Sequence, residues 1–598
     1  MANLPAGEGG AFRWRDIFAL ALPHRRRLIH AHLVAIMAAV LAVPVPLLMP
    51  LLVDEVLLHQ PGSLVAWLDR ALPVGWHTPL GYILGALGLT VLLRVISPAL
   101  QVWQQREFSQ VSKDLIFQLR QRLLRRLERI SMAEYEAVGG GTVSSHLVVD
   151  LATIDQFTGE TLSKLLVAVL TLVGASVVLL WMHWQLALFI LVMNPATVWL
   201  TVLIARKTKQ LKKRENAAVQ AFQEALTETL EAIHQLRAAH RERHYLDNVI
   251  GLAREIRVHA AAFSWKSDAA QRLSYAVFLI GVDVFRAAAM LMVVFSDLTL
   301  GQMIAVFGYL WFMLGPVDTI FNLQVSWQAA RAALERVNRL QALRLEPRYP
   351  ALRDPFAGQR TVALSLRDIR FRYGEGPLVL DGINLDIARG ERVAVVGASG
   401  GGKSTLVQVI LGLYPAESGS LLFDGVPVTE IGFENVRANV GTVLQHPALF
   451  NDSVRNNLTL GLAADEAALW SALRDAELAD FVEGMPQGLD SIIGRDGIRL
   501  SGGQRQRLAI ARLLLSDPQV VILDEATSAL DQATEAKIHA ALRRRLAGRT
   551  MLIVAHRLSA VREADRVCVF DDGHIVEHGH HEDLLLQGGL YGRLYGGA

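Results

Sequence analysis

The C-terminal half of the sequence contains a glycine-rich stretch whose residue types suit phosphate binding. The segment ERVAVVGASGGGKSTLVQVILGLY carries the pattern G-x-x-x-x-G-K-[ST], with Gly397, Gly402, Lys403 and Ser404 at the fixed positions. Glycines leave backbone N–H groups open to wrap phosphate oxygens, the lysine reaches the terminal phosphates, and the hydroxyl ligates Mg²⁺. The apolar run RVAVV before the loop and the helical pattern after it are the context that this motif needs.

Two further apolar runs end in side chains that suit chemistry on a phosphate. VVILDEA ends in Asp524 and Glu525. The first carboxylate suits the Mg²⁺ shell and the second suits activation of an attacking water. TMLIVAHRL ends at His556, at the edge where ligands bind in open α/β sheets.

A third stretch, RLSGGQRQRLAI, predicts an anion site of another kind. Ser501 is a natural N-cap, and Gly502 and Gly503 leave backbone N–H groups uncovered at the start of an amphipathic helix. A helix N-terminus favours anions. The stretch has no acid, no nucleophile and no lysine at its tip. We therefore expect it to hold a phosphate that something else delivers.

The half of the chain that precedes these motifs has a very different composition. Hydrophobic residues make up 52% of the chain, charged residues only 19%, and the mean hydropathy is +0.31, which indicates membrane segments. The single cysteine, Cys568, excludes an intramolecular disulfide and a cysteine metal cluster. Six spans near the ~20 residues that cross a bilayer are predicted: Leu28–Val53, Leu80–Ala99, Leu165–Met182, Trp184–Ala205, Leu273–Phe295 and Leu300–Phe321.

The loops predict the orientation of these spans. Residues 54–79 contain only one Lys or Arg, Arg70, whereas the connections 101–160 and 206–269 contain many. The positive-inside rule places these two connections, the N-terminus and the C-terminal half in the cytoplasm. The two connections also have helical periodicity, so we expect membrane helices that continue into the cytoplasm, with a short turning segment at Gly139-Gly140-Gly141.

Two features inside the spans have alternative interpretations. Asp283 and Arg286 lie three residues apart near the middle of the fifth span. Intramembrane charges indicate a functional site, but the two side chains can also pair to lower the cost of insertion. Prolines in the first, fourth and sixth spans predict kinks, and hinge motion is the alternative.

The sequence therefore predicts a multidomain chain. An all-α polytopic membrane domain, with six transmembrane helices and long cytoplasmic extensions, occupies residues 1–334. Residues 335–360 lose the apolar periodicity and are interpreted as a linker. An α/β P-loop ATPase domain occupies residues 361–598.

The order of the motifs GASGGGKST, LQ, LSGGQ, ILDEA, SALD and H resembles that of an ABC transporter nucleotide-binding domain. With the preceding spans, nearly the whole chain resembles a half-transporter of the ABC exporter type. The resemblance implies ATP and Mg²⁺ as cofactors. It also implies that Tyr373 stacks on adenine, that Asp531 lies in the loop across the dimer interface, and that His556 contacts the γ-phosphate.

The site residues implied by motif and resemblance fall into three groups. The catalytic residues are Glu525, His556 and Gln445, and the Mg²⁺ ligands are Ser404, Gln445 and Asp524. The nucleotide-binding residues are Tyr373, Gly397, Ser399, Gly400, Gly402, Lys403, Ser404, Thr405, Ser501, Gly502, Gly503, Gln504 and Asp531. One segment departs from the family: the G-E-R-G typical of exporters is replaced by Gly494-Arg495-Asp496-Gly497, which leaves open how this loop meets the membrane helices.

In the family, the LSGGQ loop of one subunit closes on ATP held by the phosphate loop of the other. Because all catalytic positions are intact, a homodimer is expected, and a heterodimer with a degenerate partner is the alternative.

The resemblance implies ATP-driven export of an amphipathic or hydrophobic substrate (lipid, drug or peptide) across a bacterial inner membrane by alternating access. An importer with exporter architecture, as for siderophores, is the first alternative, and an ATP-gated channel the second. The expected partners are the lipid bilayer and the transported substrate, without nucleic acid.

Overall fold

The computed structural model describes residues 11–595 apart from residues 61, 296–297, 399, 446, 495–496 and 556. The side chains of residues 63, 193–195, 197–198 and 200–209 are also outside the description. Two predicted site residues, Ser399 and His556, therefore lie outside the described residues, as do Arg495 and Asp496. The chain divides into a membrane unit, residues 1–128 and 140–342, and a cassette unit, residues 129–139 and 343–598.

The N-terminal part of the chain is helical throughout. Its helices are α1 (Trp14–Ala19), α2 (Arg25–Ala42), α3 (Val45–Leu52), α4 (Ser63–Ala71), α5 (Pro79–Leu127), α6 (Met132–Val138), α7 (Gly140–Ser145), α8 (Leu151–Asp155), α9 (Leu162–Met182), α10 (Trp184–Glu231), α11 (Ile233–Ala238), α12 (Glu242–Phe295) and α13 (Leu300–Ala342). One-turn π-helical segments follow α3 at Val53–Leu57 and flank α8 at His146–Asp150 and Gln156–Thr161. All of these helices except α6 belong to the membrane unit.

Among the described residues, five helical stretches are long and apolar enough to cross a membrane: Trp14–Leu57, Pro79–Leu127, Gly140–Met182, Glu242–Phe295 and Leu300–Ala342. The fourth predicted span falls in α10, where many side chains lie outside the description, so it stays a prediction. Helices α5 and α12 run for 49 and 54 residues, well beyond the spans. The predicted helical extensions of the spans are therefore confirmed.

The first span is interrupted at its prolines, as the sequence indicates. Helix α2 ends at Ala42 and α3 begins at Val45. The Tyr309 hydroxyl of α13 donates to the carbonyl of Val43 at 2.7 Å, within this break. A broken membrane helix frees backbone groups that neighbouring side chains must satisfy, and Tyr309 does so here.

The cassette unit is built on two main sheets. The strands are β1 (Leu364–Arg372), β2 (Leu378–Ile387), β3 (Arg392–Gly397), β4 (Ser418–Phe423), β5 (Val426–Pro427), β6 (Val440–Val443), β7 (Asp452–Ser453), β8 (Ile492–Ile493), β9 (Val520–Asp524), β10 (Thr550–Val554), β11 (Arg566–Asp571) and β12 (His574–Gly579). An antiparallel sheet has the order β2-β1-β4-β5, and a six-stranded sheet has the order β12-β11-β3-β10-β9-β6. The second sheet is parallel except for β12.

Helices surround the central strands, which are buried along their length. They are α14 (Lys403–Ile410), α15 (Val428–Ile431), α16 (Phe433–Asn439), α17 (Val454–Thr459), α18 (Glu466–Asp475), α19 (Ala479–Glu483), α20 (Gly502–Ser516), α21 (Gln532–Arg545), α22 (Leu558–Arg562), α23 (His581–Gln587) and α24 (Leu590–Tyr595). Parallel strands buried on both faces give a sheet whose carboxyl ends meet at one edge.

The boundary between the two parts differs from the sequence interpretation in two places. Helix α13 continues to Ala342, so residues 335–342 of the predicted linker are helical, because Val337 and Leu340 keep the buried spacing of the helix. The chain turns at Gly139, within the predicted segment, between the end of α6 at Val138 and the start of α7 at Gly140, but residues 129–139 belong with the cassette unit. Ile130 forms an antiparallel bridge with Leu345, and the Ser131 N–H donates to the Arg344 carbonyl at 3.0 Å.

Candidate active site

The glycine-rich loop connects β3 to α14 and requires glycine at two positions. Gly402 is the N-cap of α14 and has a left-handed backbone with φ +95°. A Cβ at Gly402 would lie 2.7 Å from the Val379 carbonyl oxygen, and one at Gly397 would lie 2.1 Å from that of Phe570. A side chain at either position would therefore collide with backbone atoms. The loop can lie this close to its neighbours only if both residues are glycine.

Lys403 is folded back onto this loop. Its ammonium donates to the carbonyl oxygens of Gly397 at 3.0 Å and Ala398 at 2.7 Å, and the residue is only 5% exposed. Burial lowers the pKa of the Lys403 ammonium, while the nearby carboxylates of Glu525 and Asp524 act in the opposite direction. The loop thus holds the Lys403 ammonium against backbone carbonyls. A bound phosphate can take the place of these carbonyls as the partner of the ammonium.

The carboxyl end of β9 delivers the acidic pair to the same loop. The Ser404 hydroxyl lies 3.4 Å from a carboxylate oxygen of Asp524, and the Gln445 amide donates to the Glu525 carboxylate at 3.1 Å. Strand β9 pairs in parallel with β10 and β6, so these groups come from aligned strand ends. Glu525 has φ +50°, an uncommon backbone for a residue other than glycine. Strain of this kind clusters at functional sites.

Tyr373 follows β1, and its ring is partly exposed. Its hydroxyl lies 3.1 Å from the Thr405 hydroxyl and donates to the Gln408 side-chain oxygen at 2.8 Å. The ring packs edge-on against Tyr414, with 5.2 Å between centroids, yet the residue stays 43% exposed. An exposed ring held from behind can stack on a flat base. The Tyr414 hydroxyl in turn hydrogen-bonds the Glu136 carboxylate of α6.

The LSGGQ loop forms a capping box at the start of α20. The Ser501 hydroxyl accepts from the Gln504 N–H at 3.2 Å, and the Gln504 side-chain oxygen accepts from the Ser501 N–H at 2.8 Å. Ser501, Gly502 and Gly503 line an open cavity of about 400 Å³ together with Asp531. The described lining of this cavity includes no residue of the phosphate loop.

Asp531 caps the next helix rather than facing an ion partner. Its carboxylate accepts from the Thr534 N–H at 3.0 Å at the start of α21. Hydrogen bonds from the Thr534 backbone and side chain hold the pKa of Asp531 below its usual value. Asp531 thus joins the cap of α21 to the lining of the cavity beside Ser501.

The sequence interpretation did not select two residues that hold the segment after the acidic strand end. Gln506 bonds this segment from the LSGGQ helix, and Arg557 bonds it from the chain that follows β10. Gln506 is buried, donates to the Ser528 hydroxyl at 2.9 Å and to the Glu525 carbonyl at 3.3 Å, and accepts from the Ala529 N–H at 2.9 Å. Arg557 donates to the Ser528 carbonyl at 2.7 Å and the Leu530 carbonyl at 3.1 Å. The signal for Gln506 was its position on the buried, otherwise apolar face of α20.

The described residues thus form two groups. Lys403, Ser404, Gln445, Asp524 and Glu525 converge at the carboxyl edge of the central sheet. The LSGGQ loop and Asp531 form a separate cavity. Where Ser399 and His556 lie stays a prediction, because both are outside the description.

Comparison with known proteins agrees with this geometry. Residues 380–528 match the family described as "ABC transporter", and residues 29–317 match the "ABC transporter transmembrane region". The chain is 32% identical, over 87% of its length and 86% of the relative's, to an "ATP-dependent lipid A-core flippase" of Burkholderia orbicola. It is 30% identical, over 97% and 94% of the two lengths, to the protein of that name in Syntrophus aciditrophicus.

A solved structure extends the similarity to the whole fold. It is described as "Structure of a bacterial Atm1-family ABC exporter with ATP bound", is 27% identical, and superposes with a TM-score of 0.76. The match covers 96% of this chain and 98% of the other.

The chain belongs to the ABC transporter family. More particularly, it is a half-transporter of the exporter type, with a membrane domain and an ATP-binding cassette in one chain. It is a membrane protein that binds ATP and couples its hydrolysis to transport.

Proposed function

We propose that this chain works as a homodimer that exports an amphipathic, lipid-like molecule from the cytoplasmic side of a bacterial inner membrane. The observation that carries the proposal is the convergence of Lys403, Ser404, Asp524, Glu525 and Gln445 at one sheet edge, in a chain whose other half is apolar helix. The basic connections favour a cytoplasmic cassette and N-terminus. Relatives that act as lipid A-core flippases support a lipid-like cargo.

The division of the site into two groups supports a dimer. The described lining of the cavity beside Ser501 offers helix N–H groups but no lysine, and its one cation, Arg507, already donates to the Glu477 carbonyl. A helix end contributes only ~0.3–1 kcal/mol to an exposed anion, so this loop requires a phosphate already held by Lys403. The phosphate loop of a second copy can deliver this phosphate to the LSGGQ loop. Two copies that do so for each other form two complete sites per dimer. His556 and Ser399 are proposed as further phosphate contacts at those sites.

The residues beside the phosphate loop also fit a Mg²⁺ ion. Mg²⁺ prefers oxygen ligands and combines one or two protein groups with phosphate oxygens. The hydroxyl of Ser404 and the carboxylate of Asp524 are adjacent oxygen donors, and Gln445 adds an amide at the same edge. In that arrangement Mg²⁺ would neutralise phosphate charge, while Glu525 would accept the proton of the attacking water.

Stimulation of hydrolysis by cargo tests the proposal. The purified full-length chain in neutral detergent is assayed for ATPase with lysophospholipids, cationic drugs and apolar peptides. We expect lysophospholipids to raise the rate of ATP hydrolysis, and Mg²⁺ removal or Glu525→Gln to lower this rate by at least about 10²-fold under every condition. An ATPase that no amphipath changes, or one that only peptides stimulate, would contradict the lipid-like cargo.

A further inference from the structure

The proposed general base, Glu525, has a backbone conformation that few residues other than glycine adopt. Its φ is +50°, in the left-handed region, and it directly follows the last residue of β9. In this region the Cβ of an L-residue lies too close to the following carbonyl oxygen, so the conformation persists only where the surroundings hold it. The position of the Glu525 carboxylate therefore depends on what holds the peptide groups on either side of this residue.

Hydrogen bonds to β10 and to α20 hold these peptide groups. The Glu525 N–H donates to the Val554 carbonyl at 3.2 Å. The Glu525 carbonyl accepts from the Ser528 N–H at 3.1 Å and from the side-chain amide of Gln506 at 3.3 Å. Gln506 is only 4% exposed, and it also bonds the Ser528 hydroxyl and the Ala529 N–H. The turn after β9, residues 525–530, is thus fixed to the LSGGQ helix on one side.

A partly buried ion pair holds the same turn on its other side. Arg557 donates to the Ser528 carbonyl at 2.7 Å and to the Leu530 carbonyl at 3.1 Å. Its guanidinium also donates to the carboxylate of Glu535, which is 4% exposed. Because the guanidinium is planar and its donors are fixed relative to one another, a carboxylate that orients one edge also orients the rest. Glu535 thus sets the direction from which Arg557 bonds the turn.

Glu535 also receives bonds from two neighbouring segments. One of its carboxylate oxygens accepts from the Ser559 hydroxyl at 3.0 Å and from the Thr527 hydroxyl at 3.2 Å, and the other accepts from Arg557. Burial acts to raise the pKa of Glu535, but the hydrogen bonds from Arg557 and Ser559 outweigh it and lower this pKa below its usual value. The carboxylate is therefore charged at neutral pH, as the partner of a guanidinium must be.

We propose that Glu535 and Arg557 are positioning residues for the general base. They hold the turn after β9 so that Glu525 keeps its left-handed backbone and its carboxylate stays 3.1 Å from the amide of Gln445. Without the pair, the Ser528 carbonyl is released, Glu525 relaxes toward a negative φ, and its carboxylate moves away from the attacking water. The inference rests on the proposed function of Glu525 as the base and adds the residues through which that base is held.

The effects on kcat and KM test the proposal in the purified full-length chain. Glu535→Gln keeps the side-chain volume but removes the charge that orients Arg557. Arg557→Lys keeps a positive charge but cannot bond both carbonyls and the carboxylate with one planar group. We expect each to lower kcat by about 10- to 10²-fold, the cost of a misplaced catalytic group, while KM changes by less than about twofold. Binding of a fluorescent ATP analogue should stay intact.

The matched control is another ion pair of the cassette unit. The Arg566 guanidinium lies 2.8 Å from the Glu391 carboxylate, and the two side chains are 28% and 20% exposed. This pair joins the start of β11 to the residue before β3, at the opposite ends of strands from Glu525. Glu391→Gln should therefore lower the thermal stability of the cassette and leave kcat unchanged.

A double variant separates positioning from a general loss of structure. A residue that acts only through Glu525 has nothing left to position in Glu525→Gln, because residues that act as a unit are not additive. Single-turnover hydrolysis of radiolabelled ATP should therefore be equally slow in Glu525→Gln with and without Glu535→Gln. A further loss by the same factor as in the unmodified chain would overturn the positioning role.

The single variants give further results that would contradict the proposal. These are a normal kcat in Glu535→Gln or in Arg557→Lys, an equal loss of kcat in Glu391→Gln, and loss of ATP-analogue binding in both variants, since positioning of the base leaves binding intact. If only one variant fails to fold, the other decides. Turnover near normal in Glu525→Gln would instead count against the proposed function of Glu525 itself.

Discussion

The side-chain amide of Gln445 donates to the carboxylate of Glu525 across 3.1 Å. The two residues follow different strands, β6 and β9, which pair in parallel within the central sheet. The proposed general base is thus oriented by a residue that is itself proposed as a Mg²⁺ ligand. Arrival of nucleotide at this edge would compete for Gln445 and free one oxygen of Glu525 for water.

Glu525→Gln should leave ATP binding close to normal and slow hydrolysis by about 10²- to 10⁴-fold, the usual contribution of a general base. The substitution keeps the side-chain volume and leaves Asp524 and Ser404 unchanged. Binding is measured with a fluorescent ATP analogue, and turnover by phosphate release. Turnover near that of the unmodified chain would remove Glu525 from the role of base.

Lys403→Ala and Ser501→Arg should each inactivate a homodimer for different reasons. The first removes the buried cation of the phosphate loop, and the second blocks the N-terminus of α20. A mixed dimer of the two variants, isolated with two affinity tags, should recover ATP-dependent closure of the cassettes, followed by a distance probe. One of its two sites then combines an intact Lys403 with an intact Ser501 from opposite chains. If well-folded mixed dimers stay open with ATP, each chain builds its own site.

Replacing Asp283 by Asn and Arg286 by Gln should reduce cargo-stimulated ATPase by about fivefold, the lower end of a coupling between sites, with a smaller change in the unstimulated rate. The Arg286 guanidinium lies 3.6 Å from the Asp283 carboxylate, and the side chains are 54% and 72% exposed. The rest of the chain therefore does not cover this ion pair, and charges exposed to lipid are costly within a membrane. A cargo cavity or the second subunit is the expected neighbour.

The matched control for this pair lies in the same helix. Asp268 and Arg272 form an exposed ion pair at 2.7 Å, outside the predicted span. Asp268→Asn with Arg272→Gln should leave stimulation unchanged. A span variant that is merely less stable to heat, with both rates intact, would identify the Asp283–Arg286 pair as structural.

Tyr414→Phe should weaken the coupling of ATP hydrolysis to cargo by about two- to tenfold, the net worth of one hydrogen bond, without loss of ATP binding. The Tyr414 ring packs against Tyr373, and its hydroxyl bonds the carboxylate of Glu136 in α6, the short helix between α5 and α7. Glu136→Gln should have a similar effect, and the double variant should lose little more than either one. Tyr591→Phe is the control, since it removes a buried hydroxyl bonded to His581 elsewhere in the cassette. Additive losses in the double variant would show that Tyr414 and Glu136 act independently.

The convergence of Lys403, Asp524 and Glu525 was predictable from sequence because their two motifs are contiguous and each follows a strand. The LSGGQ loop was likewise predicted as a helix N-terminus, and Ser501 is the N-cap of α20. The packing of residues 129–139 on the cassette unit was not predictable, since the bridge between Ile130 and Leu345 joins residues far apart in sequence and has no local period. Gln506 was visible as a polar residue on an apolar helix face, but its partners Ser528 and Ala529 come from another loop.

The most direct measurement is ATP-driven movement of a labelled lipid in sealed proteoliposomes, with ATP supplied only outside. Molecules whose cassettes face outward are then the ones energised, and an exporter carries lipid from the outer leaflet to the inner one. The result we predict is an ATP-dependent loss of label accessible to an external quencher, absent for Glu525→Gln. Movement in the opposite direction would indicate an importer, and ATP hydrolysis without any lipid movement would contradict lipid export.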